Sequence, residues 1–329
     1  MPTDHTLGME VVAMRVLVTG GAGFIGSRLV ARLIAMGHLV TVLDDFSSVR
    51  RPLPPDARII EGDVRDEAAV RLSLHRQEAV FQLAAVVGVP NAMRRQWDSL
   101  TTNVLGTMRL LEALPSGVPL ILGSSSAIYG KTPQVPVREG DDVLLGNTHI
   151  ASWTYSYAKL TEELLARASA AERGSEVKIV RLFNVVGPGQ TGRYGMVLPR
   201  LVGQALAGEP LTVYGDGSQT RTFVDVRDAV AGILTVWDKG APGDAYNVGG
   251  VGEVRILDLA RRVIALTGSR SPIHLVPMAA VFGPAFEETP RRAPSIEKVR
   301  ALGYQPLISL DETIQDIAAW LAQAPSPEP

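Results

Sequence analysis

Tyr155 and Lys159 place a phenol and an ammonium four residues apart in Tyr155-Ser156-Tyr157-Ala158-Lys159. On a helix that spacing brings both side chains to one face, where they can reach a single substrate. Together they make an acid-base device. A free tyrosine titrates near pH ~10, so a phenolate that works at neutral pH must be favoured by about 4 kcal/mol over its ordinary balance. A neighbouring ammonium supplies part of this, because positive charge stabilises the phenolate. A second segment, Ser124-Ser125-Ser126-Ala127-Ile128-Tyr129-Gly130, offers a hydroxyl that can bridge the phenol to an alcohol oxygen.

The N-terminal region supplies a partner for this device. Arg15 to Thr19 reads as a short buried strand, Gly20-Gly21-Ala22-Gly23-Phe24-Ile25-Gly26 as a glycine-rich turn, and Ser27 to Ile34 as an amphipathic helix. Strand, turn and helix in that order are the context in which a glycine pattern marks a dinucleotide site. Gly20 permits the tight turn, Gly23 lets the backbone approach a pyrophosphate, and Gly26 lets the helix pack close, with its N-terminus toward the anion. The next strand, Leu39 to Leu43, ends in Asp44-Asp45, where an acid can accept bonds from the adenosine ribose and repels a 2′-phosphate. The expected cofactor is therefore NAD, with NADP kept as the alternative by Arg50 and Arg51. Asp63, in Gly62-Asp63-Val64, is placed to bond the adenine amino group. A cationic nicotinamide ring would then join Lys159 in stabilising the phenolate.

The chain has 329 residues, 46% hydrophobic and 20% charged, enough for a full-sized core in one large or two closely joined domains. A net charge of −2 without a basic run gives no electrostatic basis for holding nucleic acid or an anionic membrane, so small-molecule partners are expected. Cysteine is absent, which excludes disulfides, thiol nucleophiles and thiolate metal sites. His5, His38, His75, His149 and His274 are scattered and unpaired with acids at ligand spacing, so no catalytic metal is expected. Residues 1–13 lack the pattern of a signal peptide and no run is apolar enough to span a bilayer. A cytoplasmic protein with a disordered lead over 1–13 and a tail over 324–329 is the expectation.

Short apolar runs at Val16 to Thr19, Val40 to Leu43, Ile59 to Ile60, Ala79 to Leu83, Pro119 to Leu122 and Val177 to Leu182 alternate with helical patterns. This is the mark of a doubly wound, mostly parallel α/β sheet covered on both faces. Ligands of such sheets sit at the carboxyl ends of the strands, and the glycine turn, Asp44, Asp63, Ala84-Ala85 and Ser124-Ser125 all follow strands directly. After Arg181 the texture changes, with Gly187-Pro188-Gly189-Gln190 and Gly215-Asp216-Gly217-Ser218 between short elements. A smaller, discontinuous C-terminal substrate lobe over 182–221 and 250–323 is expected, the dinucleotide domain spanning 14–181. Phe223 to Val226 and Tyr246 to Gly249 are expected to return to the main sheet.

These motifs together resemble the extended short-chain dehydrogenase/reductase enzymes that act on nucleotide sugars, whose dinucleotide domain is of Rossmann type. The likeness rests on Thr19 to Gly26, Gly62 to Asp66, Leu83-Ala84-Ala85, Asn103 with Gly106-Thr107, Ser124 to Gly130, Tyr155 to Lys159, Arg181 to Pro188, and Val213 to Gly217 leading into Arg221. It runs from about Met14 to about Trp320. The resemblance implies Tyr155 as base, Lys159 as the residue that holds the nicotinamide ribose and lowers the phenol's pKa, and Ser125 as the bridging hydroxyl. It also implies NAD contacts from Phe24, Ile25, Phe46, Ser47, Ser48, Val64, Leu83, Ala84, Ala85, Asn103, Ser124, Phe183 and Val185. Substrate contacts follow for Val86, Ser126, Asn184, Val197, Tyr214, Arg221 and Arg292, the two arginines as diphosphate clamps. A UDP-sugar partner and a homodimer are what the likeness suggests.

Two departures narrow the reaction. The family's dehydratases carry an Asp-Glu pair where this chain has Ser126-Ala127, and its nucleotide-glucuronate decarboxylases keep a glutamate at the position of Ala127. What is left can oxidise C4 of a hexose to a ketone and reduce it again, so a UDP-hexose or UDP-hexuronate 4-epimerase is the reading. A decarboxylase or dehydratase with acid groups from elsewhere, such as Glu139 or Arg193, is the alternative within enzymes. A non-catalytic NAD-binding regulator is the alternative outside them. Arg193 and Arg200 are candidates to meet a sugar carboxylate, and neutral hexose and hexuronate both stay open.

Overall fold

The computed structural model describes residues 12–48, 51–192, 196–283 and 286–323. Residues 1–11 of the expected lead over 1–13, the tail over 324–329, Arg50 and Arg193 lie outside them. The first half runs β1 (Arg15–Thr19), α1 (Phe24–Ala35), β2 (Leu39–Asp44), β3 (Arg58–Glu61), α2 (Glu67–Leu74), β4 (Ala79–Gln82), α3 (Val89–Arg94), α4 (Gln96–Leu100), α5 (Gly106–Ala113), β5 (Leu120–Ser125), α6 (Thr154–Arg173) and β6 (Val177–Leu182). The second half runs β7 (Val185–Val186), α7 (Val197–Ala207), β8 (Leu211–Tyr214), β9 (Thr220–Arg221), β10 (Val224–Asp225), α8 (Val226–Lys239), β11 (Ala245–Val248) and β12 (Val254–Arg255). It closes with α9 (Ile256–Thr267), β13 (Ile273–Val276), α10 (Met278–Phe282), β14 (Arg291–Arg292), α11 (Glu297–Arg300) and α12 (Leu310–Gln323). No helix of the described residues is long and apolar enough to cross a membrane.

Seven parallel strands form the main sheet in the order β11-β6-β5-β4-β1-β2-β3. The chain builds outward from β1 to β2 and β3, then restarts at β4 on its other side. That reversal opens a crevice over the carboxyl ends of β1 and β4, where loops diverge. Leu29, Val30 and Leu33 of α1 and Val230, Ile233 and Val236 of α8 pack on one face of the sheet. Val70 and Leu74 of α2, Leu110 and Leu111 of α5, and Ala166 of α6 cover the other. This two-sided burial is why the strands read as continuous apolar runs instead of alternating ones.

A third cluster joins α7, α9 and α12 through Leu198, Leu201, Leu259, Val263, Ile314 and Ile317, with Leu211 and Val213 of β8. Ala245–Val248 extends the main sheet beside β6, where a return was expected. Val224–Asp225 does not join it, and pairs in parallel with Val185–Val186 in a separate ribbon. The reason is local: the Asp225 carboxylate accepts the Arg227 amide at 2.9 Å and caps α8, turning the chain into a helix straight after β10.

Candidate active site

Helix α6 carries Tyr155 and Lys159 in its first two turns and is closed by Gly174 in the left-handed conformation, φ 67°. The Lys159 ammonium is buried and donates to the Gly123 carbonyl at 2.8 Å and to Glu162 Oε2 at 3.1 Å. Tyr155 is half-buried and lines the cleft together with Ser125, whose hydroxyl favours the phenolate. Ser125 ends β5 and caps the short turn Ser126–Tyr129, its Oγ accepting the Ala127 amide at 3.2 Å. The three residues therefore meet where β5 and α6 adjoin.

The electrostatics differ from the expectation. Burial pushes the Tyr155 phenol above its ordinary value, and although Lys159 and Ser125 pull it down, Glu162 adds to the push and the net direction is upward. Burial also works against the Lys159 ammonium, but Glu162 and Tyr155 outweigh it and hold its pKa up. Glu162 is itself pushed up to about 7 by burial, against Lys159 and Thr107. The ammonium pulls the phenol down, yet burial of the phenol outweighs it, and the Glu162 carboxylate adds a smaller push in the same direction as burial.

The glycine-rich turn fits a dinucleotide. Gly20 has φ 66°, and a Cβ there would lie 2.7 Å from the Ala84 amide nitrogen; a Cβ on Gly26 would lie 2.1 Å from the Gly20 carbonyl oxygen. Helix α1 has neither a side-chain cap nor an acid in its first turn, so its leading amides are free to meet an anion. Asp44 braces this turn, accepting the Ala22 amide at 2.8 Å and the Phe46 amide at 2.9 Å. Asp63 is held by Arg65 at 2.5 Å, whose guanidinium keeps the carboxyl below its usual range. Arg51, the remaining described basis for NADP, donates to the Gly189 carbonyl at 2.6 Å and lies over Phe24.

One cleft of about 580 Å³ runs from this turn past Tyr155 to the lobe. Gly20, Gly23 to Gly26, Asp44, Asp45, Ser47, Ser48, Asp63, Val64, Leu83 to Val86, Ser124 to Ser126, Tyr155, Lys159, Asn184, Val185, Val197, Tyr214, Arg221 and Arg292 line it. Three expected cofactor residues do not. Phe183 is fully buried in an apolar cluster with Ile128, Tyr129 and Val137. Asn103 is fully buried in a π-helical turn, Thr101–Leu105, and accepts the Val86 amide at 2.8 Å, so it acts through the loop it holds. Phe46, at φ 52°, contributes its amide to Asp44. Glu139 is also away from the cleft, its Oε1 accepting the Asn247 amide at 2.8 Å.

At the lobe end, parallel pairing of β9 with β14 sets Arg292 beside Arg221. Arg221 pairs with Glu288. Arg292 donates to Thr289 Oγ1 at 3.0 Å, while its buried Nε has no partner among the described residues. Burial and the Arg221 charge lower its pKa to about 10, so the site holds positive charge that an anion would relieve. Arg200 lies over the Tyr214 ring at 4.1 Å, Tyr214 meets Phe282 edge-on, and Phe282 stacks on Phe286 at 4.3 Å. Asn184, at φ 35°, donates to the Thr222 carbonyl at 2.7 Å. Sequence reasoning missed Glu162, Glu288, Phe282 and Phe286; for Glu288 the acidic pair just before Arg291-Arg292 was a usable signal, and for Glu162 there was none.

Residues 16–249 match the model of the NAD dependent epimerase/dehydratase family. The chain belongs to that family. It is 37% identical over 317 residues to the UDP-N-acetyl-alpha-D-glucosaminuronate decarboxylase of Bacillus cytotoxicus, covering 94% of this chain and 98% of that one. It is 33% identical to UDP-glucuronic acid decarboxylase 1 of Danio rerio, covering 91% and 70%. Its fold is similar to the crystal structure of UDP-glucuronic acid 4-epimerase from Bacillus cereus in complex with UDP-glucuronic acid and NAD, with a TM-score of 0.84, 27% identity and coverage of 94% and 99%. This family member is an NAD-dependent enzyme, and the relatives just named act on UDP-sugars. That relatives so similar are decarboxylases weighs against taking Ala127 as the mark of a 4-epimerase.

Proposed function

We propose that the protein is an NAD-dependent UDP-hexuronate decarboxylase that works through a 4-keto sugar. The observation that carries this is the cleft wall from Ser124 to Ala127, which offers serine hydroxyls beside Tyr155 but no carboxylate; the lining acids among the described residues are Asp44, Asp45 and Asp63 near the glycine turn, and Glu287 and Glu288 on the lobe. Removal of water across C5 and C6 needs an acid to release the C6 hydroxyl. Loss of carbon dioxide does not. Once C4 of a hexuronate is a ketone, the C6 carboxylate is β to it, the C5–C6 bond breaks, and its electron pair enters the C4 enolate. A proton then closes C5. A glutamate at Ala127 is not required for any of these bonds to break.

In this reading Tyr155 takes the O4 proton, with Ser125 holding the hydroxyl, and returns it when the ketone is reduced. NAD held at the glycine-rich turn would supply a reversible hydride acceptor for C4. Lys159 orients the ribose edge, and Arg221 and Arg292 grip the diphosphate in the lobe formed by 182–221 and 250–323. The high similarity to hexuronate decarboxylases supports this outcome over the others. A second reading, 4-epimerisation of the same substrate, is favoured by the matching fold of the UDP-glucuronic acid 4-epimerase. Incubation with UDP-glucuronate, UDP-N-acetylglucosaminuronate and UDP-glucose, followed by product mass and C4 stereochemistry, separates them. Loss of one carbon dioxide with C4 retained supports the proposal; an unchanged mass with inverted C4 supports the second reading and defeats the first.

A further inference from the structure

Glu162 is a buried ionisable group that the reaction above leaves unused. It is fully buried, one turn beyond Lys159 on α6, and its Oε2 lies 3.1 Å from Lys159 Nζ and accepts Thr107 Oγ1 at 3.0 Å. Its Oε1 has no hydrogen-bond partner among the described residues. From Thr107 the polar contacts continue through Gln82, 3.3 Å away, to Thr19, whose hydroxyl also accepts the amides of Leu83 and Ala84 at 3.2 Å beneath the glycine-rich turn. The next residue, Glu163, is committed elsewhere, to Arg181 at 2.8 Å and Ser124 at 2.6 Å. A carboxylate in such a place is costly, and one with an unsatisfied oxygen more so. Packing alone would favour an apolar side chain.

We propose that Glu162 is a positioning residue that fixes the Lys159 ammonium beneath Tyr155 and offsets its charge there, so that the charge on the bound nicotinamide decides whether the phenol acts as base or acid. The proposal rests on the reading of Tyr155 as the proton-transfer group. An oxidised nicotinamide is cationic and a reduced one neutral. Beside an unopposed Lys159 the phenolate would be favoured in both states, which suits removal of the O4 proton and hinders its return. With the lysine charge offset, the phenol gives up its proton beside the oxidised ring and recovers it beside the reduced one. The charges that face Glu162 are consistent with this: Lys159 and Glu163 from its own helix, with Tyr155, one turn before Lys159, feeling the Glu162 charge. From α5 comes only the neutral Thr107, and Arg181 of β6 is taken up by Glu163.

The test reads the phenol directly and needs no substrate. The ultraviolet difference spectrum of wild type minus Tyr155→Phe is titrated with pH in the protein alone, with NAD and with NADH, and again for Glu162→Gln. The phenolate of the wild type is expected at lower pH with NAD than with NADH. In Glu162→Gln both midpoints fall by about one pH unit, a tenfold rise in the proton concentration at the midpoint. Glu162→Asp, which keeps the charge, restores the wild-type midpoints. Midpoints in Glu162→Gln that match wild type, or a Glu162→Asp that behaves as Glu162→Gln does, overturn the proposal. If Glu162→Gln does not fold, Thr107→Val removes one bond from the carboxylate and is expected to move the midpoints the same way by less; no movement overturns the proposal. Absence of turnover on sugar nucleotides would defeat the proposed function and leave this titration unaffected.

Discussion

Glu288 pairs with Arg221, which the proposed function assigns to the diphosphate, so replacing it with glutamine is expected to strengthen UDP binding. The side chains of Arg221 and Glu288 are 15% and 27% exposed, partly but not wholly shielded from water. A hydrogen bond between charged groups contributes about 1.5–3 kcal/mol when desolvated, and solvent screening cuts that to about 1 kcal/mol here. The incoming phosphate must displace this contact. Glutamine keeps an acceptor that orients Arg221 and removes the competing charge, so UDP should bind about five-fold tighter. Arg292 adds to the gain, since its unpartnered Nε and the charge of Arg221 beside it are both relieved by the phosphate. Isothermal calorimetry with UDP at fixed ionic strength measures it. Equal or weaker binding by Glu288→Gln would refute the reasoning, because the carboxylate would then not compete for the anion.

Gly26→Ala puts a methyl 2.1 Å from the Gly20 carbonyl oxygen, and should weaken NAD binding at least about tenfold while leaving the circular dichroism of the fold in place. Quenching titrations with NADH check this. Arg181→Leu leaves Glu163 buried without its cation, and unfolding in denaturant should show a loss of about 3–5 kcal/mol. Glu162 makes stability depend on pH. Its carboxyl is raised from the ordinary 4.5 to about 7, so the folded state holds its proton longer, and this contribution is present below 4.5 and lost as pH rises to about 7. The fall in stability across that window should flatten in Glu162→Gln.

The strands and the dinucleotide turn were legible because both are local. Val16 to Val18 or Leu120 to Leu122 can be buried on both faces only in a covered sheet, and Gly20 to Gly26 is a steric requirement written in consecutive residues. Tyr155 and Lys159 were legible for the same reason, one helical turn apart. Misreadings arose where local sequence has two uses. Val224-Asp225 is strand-like, yet its aspartate serves a helix cap. Glu162 looks like any polar residue of an exposed helix, and its burial depends on Thr107, 55 residues away in the chain. Glu288 likewise acquires meaning only when the lobe closes it onto Arg221, 67 residues away.

The account stands on a transient ketone at C4 made and removed by one phenol. UDP-glucuronate carrying deuterium at C4 tests it most directly. With wild type the product should have lost carbon dioxide and kept the deuterium at C4, and Tyr155→Phe should slow its formation by about 10²–10⁴-fold. Loss of the label to solvent, or carbon dioxide released at the wild-type rate by Tyr155→Phe, would contradict the account.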